Sequence, residues 1–127
     1  MGVPWRGRPQ SESFMKLVIA YIQPDRLHHV KRALTDEGIT RMSVTNALGC
    51  GQQRGFTETY RGAEFEVQLL KKIRVEIAVN DDYLERTRDA IIRGARTGEF
   101  GDGVIFVVEL GECYRIRTGE SGSPAVG

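Results

Sequence analysis

The sequence has little that would recruit a partner by bulk charge or anchor it in a membrane. Lys and Arg number 18 against 17 Asp and Glu, a net charge of +1, so no global field draws nucleic acid or an acidic lipid surface and any charge effect must be local. No apolar run approaches the ~20 residues of a membrane-spanning helix, and the N-terminal stretch lacks the apolar centre of a signal peptide. Cysteine is scarce: Cys50 and Cys113 stand alone without CxxC spacing, which gives no metal signature and little sign of a disulfide. These absences predict a soluble protein of the reducing cytoplasm. No Ser-His-Asp or Cys-His arrangement is visible, and the carboxylates fall where caps and solvated faces put them, which predicts that the protein is not an enzyme. His28 and His29 are adjacent on a predicted helix, about 100° apart around its axis, and cannot jointly hold a metal without further ligands.

What is present fits one domain over residues 15–120, flanked by flexible tails at 1–14 and 121–127. Met15–Gln23 reads as a strand covered on both faces, with Leu17, Ile19 and Tyr21 on one and Val18, Ala20 and Ile22 on the other. Pro24 opens a helix carrying Leu27, Val30 and Leu34, and Gly38 stops it. Arg41–Leu48 reads as a second strand, and Ile73–Val79 alternates cleanly as a third. Asp81 or Asp82 can cap a second helix with Leu84, Thr87, Ile91 and Ala95 on one face, ending at Gly98. Gly94 within it costs about 1 kcal/mol against alanine and predicts a loose last turn. A strand at Val104–Glu109 and an extended segment at 112–117 follow. The order is that of an α+β, ferredoxin-like βαββαβ sandwich with a long loop between strands 2 and 3. Its helix-free face, taken to carry Val18, Ala20 and Ile22, would be partly apolar, and self-association is the simplest cover.

Three features suggest an anion site. The turn Thr97-Gly98-Glu99-Phe100-Gly101-Asp102-Gly103 has glycines that allow backbone N–H groups to converge as a nest. Arg115-Ile116-Arg117 would place two guanidinium groups on one side of an extended segment, in the bidentate geometry that suits phosphate. If they face the turn they form a phosphate site, and cations are needed there because the turn follows a helix C-terminus, whose dipole disfavours anions. Third, the excursion from Gly49 to Lys72 opens with Gly49-Cys50-Gly51-Gln52-Gln53-Arg54-Gly55, and loops beyond roughly 12–15 residues are usually functional or disordered. Together they describe a nucleotide-phosphate cleft lipped by a mobile loop.

These residues, with Thr57-Glu58-x-Tyr60-Arg61-Gly62-Ala63-Glu64 and Arg115-Ile116-Arg117-Thr118-Gly119-Glu120 in the same order and spacing, resemble the PII signal-transduction proteins. The resemblance implies a homotrimeric sensor, not an enzyme, that binds ATP or ADP between subunits and, with Mg²⁺, 2-oxoglutarate. It implies that Arg115 and Arg117 hold phosphates, that Gly101, Asp102 and Gly103 shape the phosphate turn, and that Gly49, Gly51 and Gln52 line the nucleotide, with Ser43 and Glu76 near the adenosine. Gln53 would help coordinate Mg²⁺, with Arg54 and Gly55 beside the acid and Lys72 on its distal carboxylate. Arg61, with Tyr60 and Gly62 at the loop tip, matches the residue that enters an ammonium transporter's pore; the implied partner is a membrane transporter or metabolic enzyme. Nucleic acid is not an expected partner, since Val104–Glu109 lacks the basic and aromatic pattern of an RNA-binding strand.

Four positions depart from the family pattern. Phe65 replaces the tyrosine that is uridylylated and Ala63 the serine that is phosphorylated, so both covalent switches are lost. Val104 stands where a phosphate-contacting lysine is usual, and Gln52 replaces an arginine. Each lost charge-assisted contact is worth roughly 1.5–3 kcal/mol, and the loss weakens triphosphate binding more than diphosphate or monophosphate. An alternative reading is therefore a divergent sensor of ADP or AMP with another small anion such as bicarbonate, linked to inorganic carbon transport or fixation.

Overall fold

Strand β1 (Met15–Ile22) is the centre around which the other elements assemble. The structure, a computed structural model, describes residues 14–52 and 67–126, with 50–52 and 67–68 described as backbone. β1 pairs antiparallel with β3 (Val67–Asn80) on one side and β4 (Gly103–Glu109) on the other, and β2 (Ser43–Gln52) lies outside β3, giving the order β2-β3-β1-β4. Helices α1 (Leu27–Asp36) and α2 (Leu84–Ala95), each entered through a short 3-10 turn, cover one face. This is the ferredoxin-like sandwich that the element order predicts.

The core lies between helices and sheet: Val18, Ala20 and Ile22 from β1, Val75 and Ile77 from β3, Val30 and Leu34 from α1, Ala90 and Ile91 from α2. Burying each of the larger side chains contributes about 1.5–3 kcal/mol. Thr87 is fully buried and stays satisfied because its hydroxyl donates to the Tyr83 carbonyl at 2.6 Å. Lys16 is also buried and pairs with Asp81 and Glu109, tying β1 and β4 to the start of the second helical segment. Asp81 thus serves Lys16, and neither Asp81 nor Asp82 makes the side-chain cap expected of it.

Four further expectations are corrected. Val18, Ala20 and Ile22 face the helices, so the uncovered face carries Leu17, Ile19 and Tyr21 instead. Both sets are apolar, and only pairing decides between them: Ile19 lies opposite Glu76 and Tyr21 opposite Arg74, on the polar side of β3. Second, the excursion after Gly49 does not begin as a loop, because Gly49 to Gln52 pair with Leu70 to Val67 in a continuous ribbon. The ladder satisfies backbone groups that the glycines alone would leave to solvent. Third, Gly94 is no loose point. A Cβ there would meet Val30 Cα at 2.7 Å and the His29 carbonyl oxygen at 2.8 Å, so α1 and α2 touch at their backbones. Fourth, where a flexible tail is predicted from residue 121, Ser123–Val126 form the short helix α3 with Ala125 buried. Residues 1–13 of the predicted N-terminal tail lie outside the described residues.

Candidate functional site

The turn from Thr97 to Gly103 joins α2 to β4 at the end of the sheet where β1 finishes. Asp102 organises it. Its carboxylate accepts the amides of Thr97 and Gly98, both at 2.8 Å, and the Thr97 hydroxyl, while that hydroxyl accepts the Glu99 amide at 3.1 Å. These bonds, the Thr97 hydroxyl's first, hold the Asp102 carboxyl below its usual range; the positive charge of Arg26 adds to the effect. The amides of Thr97, Gly98 and Glu99 are therefore engaged internally, and the predicted nest narrows to the part of the turn that follows them. Gly103 has φ +116°, and a Cβ there would lie 1.8 Å from the Tyr21 carbonyl oxygen, so no other residue fits.

Lys72 brings the return strand to this turn. Its side chain passes over Gly49, and its Nζ donates to the Gly101 carbonyl at 2.9 Å. Gln23, at the exit of β1, places its Nε2 3.3 Å from where a Cβ of Gly101 would sit. Gly49, Lys72, Gly101, Asp102 and Gly103 thus lie in one neighbourhood. Ser43 and Glu76 lie directly opposite each other in the β2–β3 pair, and Glu76 accepts from Arg74 Nη2 at 2.7 Å. A cleft of about 310 Å³, lined by Ile91, Ala95, Arg96, Asp102, Gly103 and Ile105 among others, opens between α2 and β4. It is at the lower limit of the ~300–1,000 Å³ typical of ligand pockets.

Arg115 and Arg117 are not in that neighbourhood. Residues 115–120 form a tight turn, in which the Arg115 amide donates to the Glu120 carbonyl and the Gly119 amide to the Arg115 carbonyl, both at 2.8 Å. The extended segment with paired guanidinium groups is thereby corrected. Glycine explains it: Gly119 takes φ +74° and closes the turn. The chain on either side of this turn is tied to the start of β1 and the paired end of β3, where the Leu110 amide donates to the Met15 carbonyl and the Asn80 side chain to the Ser123 carbonyl. β1's eight residues separate it from the phosphate turn, roughly 25 Å at strand rise. Arg115 Nη2 lies 3.3 Å and 3.4 Å from the carbonyl oxygens of Pro124 and Ala125, and its Nε lies 3.5 Å from Glu120 Oε1. Within one protomer, then, the arginines and the glycine turn do not converge.

Gly51 and Gln52 belong to the ribbon backbone. Gln53, Arg54, Gly55, Tyr60, Arg61, Gly62, Ala63 and Phe65 lie outside the described residues. Val104 follows the turn on the uncovered face, 48% exposed, and brings no cation to it. Sequence reasoning passed over Thr97 as Asp102's partner, and Gln23 and Arg26 beside the turn. Only the Thr97–Asp102 spacing offered a signal, as a short polar side chain set to bond nearby backbone. No helix among the described residues is long and apolar enough to cross a membrane.

Comparison with known proteins gives one consistent result. A family model described as nitrogen regulatory protein P-II matches residues 15–120. A nitrogen regulatory protein P-II of Bradyrhizobium diazoefficiens is 50% identical over 112 residues, covering 88% of this chain and all of that protein. Among solved structures, the GlnK–ATP complex of B. subtilis matches with a TM-score of 0.78 at 34% identity, over 88% of this chain and 97% of the other. Arabidopsis thaliana PII bound to citrate matches with a TM-score of 0.74 at 35% identity, over 91% of this chain and 94% of the other.

Proposed function

The chain belongs to the nitrogen regulatory protein P-II family, and from that premise we propose that it is a homotrimeric sensor binding ATP or ADP in clefts between protomers. P-II proteins are regulatory signal transducers, and no catalytic step is assigned to this one. The observation that carries the reading is the bond from Lys72 Nζ to the Gly101 carbonyl at 2.9 Å. It joins the strand returning from the long loop to the turn that would cradle phosphate, so a ligand at either reaches the other. The separation of Arg115 and Arg117 from that turn supports a site shared between protomers, each supplying one part.

2-Oxoglutarate would be the second effector, its distal carboxylate drawing Lys72 away from Gly101. Among the described residues no cluster of three or more His, Cys, Asp or Glu could hold a metal. Mg²⁺ would therefore be held by the nucleotide phosphates, the acid and Gln53. The loop tip at Tyr60, Arg61 and Gly62 would engage a partner of nitrogen or carbon metabolism, such as an ammonium transporter, from the cytoplasmic side. Different ligands would select different loop shapes through their differential binding free energy. With Phe65 and Ala63 in place of modifiable residues, the loop reports by ligand binding alone.

Calorimetric titration with ATP, Mg²⁺ and 2-oxoglutarate tests this: the acid should bind only with Mg-ATP present, and absence of synergy sinks the reading. One observation favours a second reading. The exposed Val104 beside the turn supplies no cation for a third phosphate, which suits a sensor of ADP or AMP with bicarbonate. That reading requires ADP or AMP to bind more tightly than ATP and bicarbonate to replace the acid.

A further inference from the structure

The turn that the proposed function uses for phosphate hangs from the unfavourable end of a helix. α2 ends at Ala95, so its last carbonyls point their negative ends toward Thr97–Gly103. Asp102 adds a full carboxylate, and Val104 adds no cation. Lys72 brings one cation to the turn, at the Gly101 carbonyl, and a second arrives from the helix side. Arg26, the last residue of the 3-10 turn before α1, reaches across to α2, donating from Nε and Nη2 to the Gly94 carbonyl at 3.1 Å and 2.9 Å. The approach depends on Gly94, whose lack of a side chain lets the helices meet.

We propose that Arg26 is a positioning residue for nucleotide phosphate at this turn: it fixes a C-terminal carbonyl of α2 and offsets the negative charge that the helix end and Asp102 would present. The inference rests on the nucleotide-binding reading above. Arg26 contacts no phosphate itself. Its charge reaches the turn all the same, since it contributes to holding the Asp102 carboxyl ionised. Satisfying the Gly94 carbonyl needs only a donor, which a neutral side chain can supply, so donor and charge are separable by substitution.

The test compares wild type, R26K and R26Q as full-length chains, measuring AMP, ADP and ATP binding by calorimetry alongside thermal unfolding and oligomeric state. Glutamine keeps an N–H for Gly94 and removes the charge. R26Q should fold and assemble normally yet lose affinity in proportion to ligand charge, about twofold for AMP rising to about fivefold or more for ATP, the range expected for a charge at a helix end. R26K should stay within about twofold for all three. Equal losses for AMP, ADP and ATP in R26Q, or none, would overturn the proposal, as would a graded loss in R26K, which keeps the charge. A wild type that binds no nucleotide would instead overturn the function on which the proposal rests.

Discussion

Replacing Gly94 with alanine sets two effects of opposite sign against each other. In an open helix interior the change gains about 1 kcal/mol, because alanine restricts the unfolded chain and favours the helix. Gly94, however, is buried where α2 crosses α1, and the new Cβ would lie 2.7 Å from Val30 Cα, 2.8 Å from the His29 carbonyl oxygen and 2.9 Å from its carbon. All three neighbours are backbone, so no side chain can swing aside and the helices must separate by most of an ångström. Val30, Leu34 and Ile91 share the core beneath that crossing, which places the cost in the upper part of the ~1–3 kcal/mol range for overpacking. The net is a destabilisation of about 1–2 kcal/mol, or roughly 4–10 °C in Tm for a domain of this size. Thermal and urea unfolding at one fixed protein concentration would measure it, since assembly adds a mass-action term. Gly38→Ala is the control: φ is +83° with nothing within 4 Å, so it registers backbone strain without a clash. A G94A protein as stable as wild type, or more so, would refute the close-contact argument.

Three other outcomes are expected. Because the Asp102 carboxyl is held below its usual range, chiefly by the Thr97 hydroxyl, its contribution is complete above the unfolded value near pH ~4 and is lost as pH falls through the lower folded value. The Thr97 and Gly98 amide resonances should therefore titrate at a midpoint below that of an ordinary aspartate; a normal midpoint counts against the turn as described. Removing residues 121–127 releases Arg115 from the Pro124 and Ala125 carbonyls, long bonds worth ~0.5–1 kcal/mol, so ADP should bind about two- to fivefold tighter. Weaker binding would mean that α3 orients Arg115 instead of competing for it. K72M should abolish synergy between Mg-ATP and 2-oxoglutarate while leaving ATP alone within about threefold; retained synergy would exclude Lys72 as the acid's partner.

The sequence was legible where one local period carried the information. Ile73, Val75, Ile77 and Val79 alternate with Arg74 and Glu76, and that alternation told which side of β3 is buried. β1 offers apolar residues on both sides, so its orientation depends on Glu76 and Arg74 of a partner strand more than fifty residues away, a non-local fact. Gly49 and Gly51 disguised the ribbon, because glycine weakens a strand pattern even where pairing with Leu70 and Gln68 holds it. Arg115-Ile116-Arg117 read as extended because period two is visible over three residues, whereas the closing turn depends on Gly119. Arg26 carried no signal at all: its role exists only once α1 and α2 cross at Gly94.

The uncovered face of the sheet divides into two halves with different requirements. Leu17, Ile19, Tyr21, Val104, Phe106 and Val108 give the β1–β4 half an apolar surface, with Phe106 51% exposed and packed edge-on to Tyr21. Lys72, Arg74 and Glu76, with Ser43 and Thr45 opposite the last two, make the β3–β2 half polar and charged. Covering the first half stabilises the fold; burying the second without partners would leave charges unpaired. In the proposed trimer, neighbouring copies would cover the apolar half while the polar half lines the cleft between them. The residues beside Ser43, Glu76 and Lys72 would then border both a subunit contact and a ligand. On that proposal a nucleotide held by the turn of one protomer and by Arg115 and Arg117 of another would bind only the assembled state, so assembly and sensing would be linked by the same free energy.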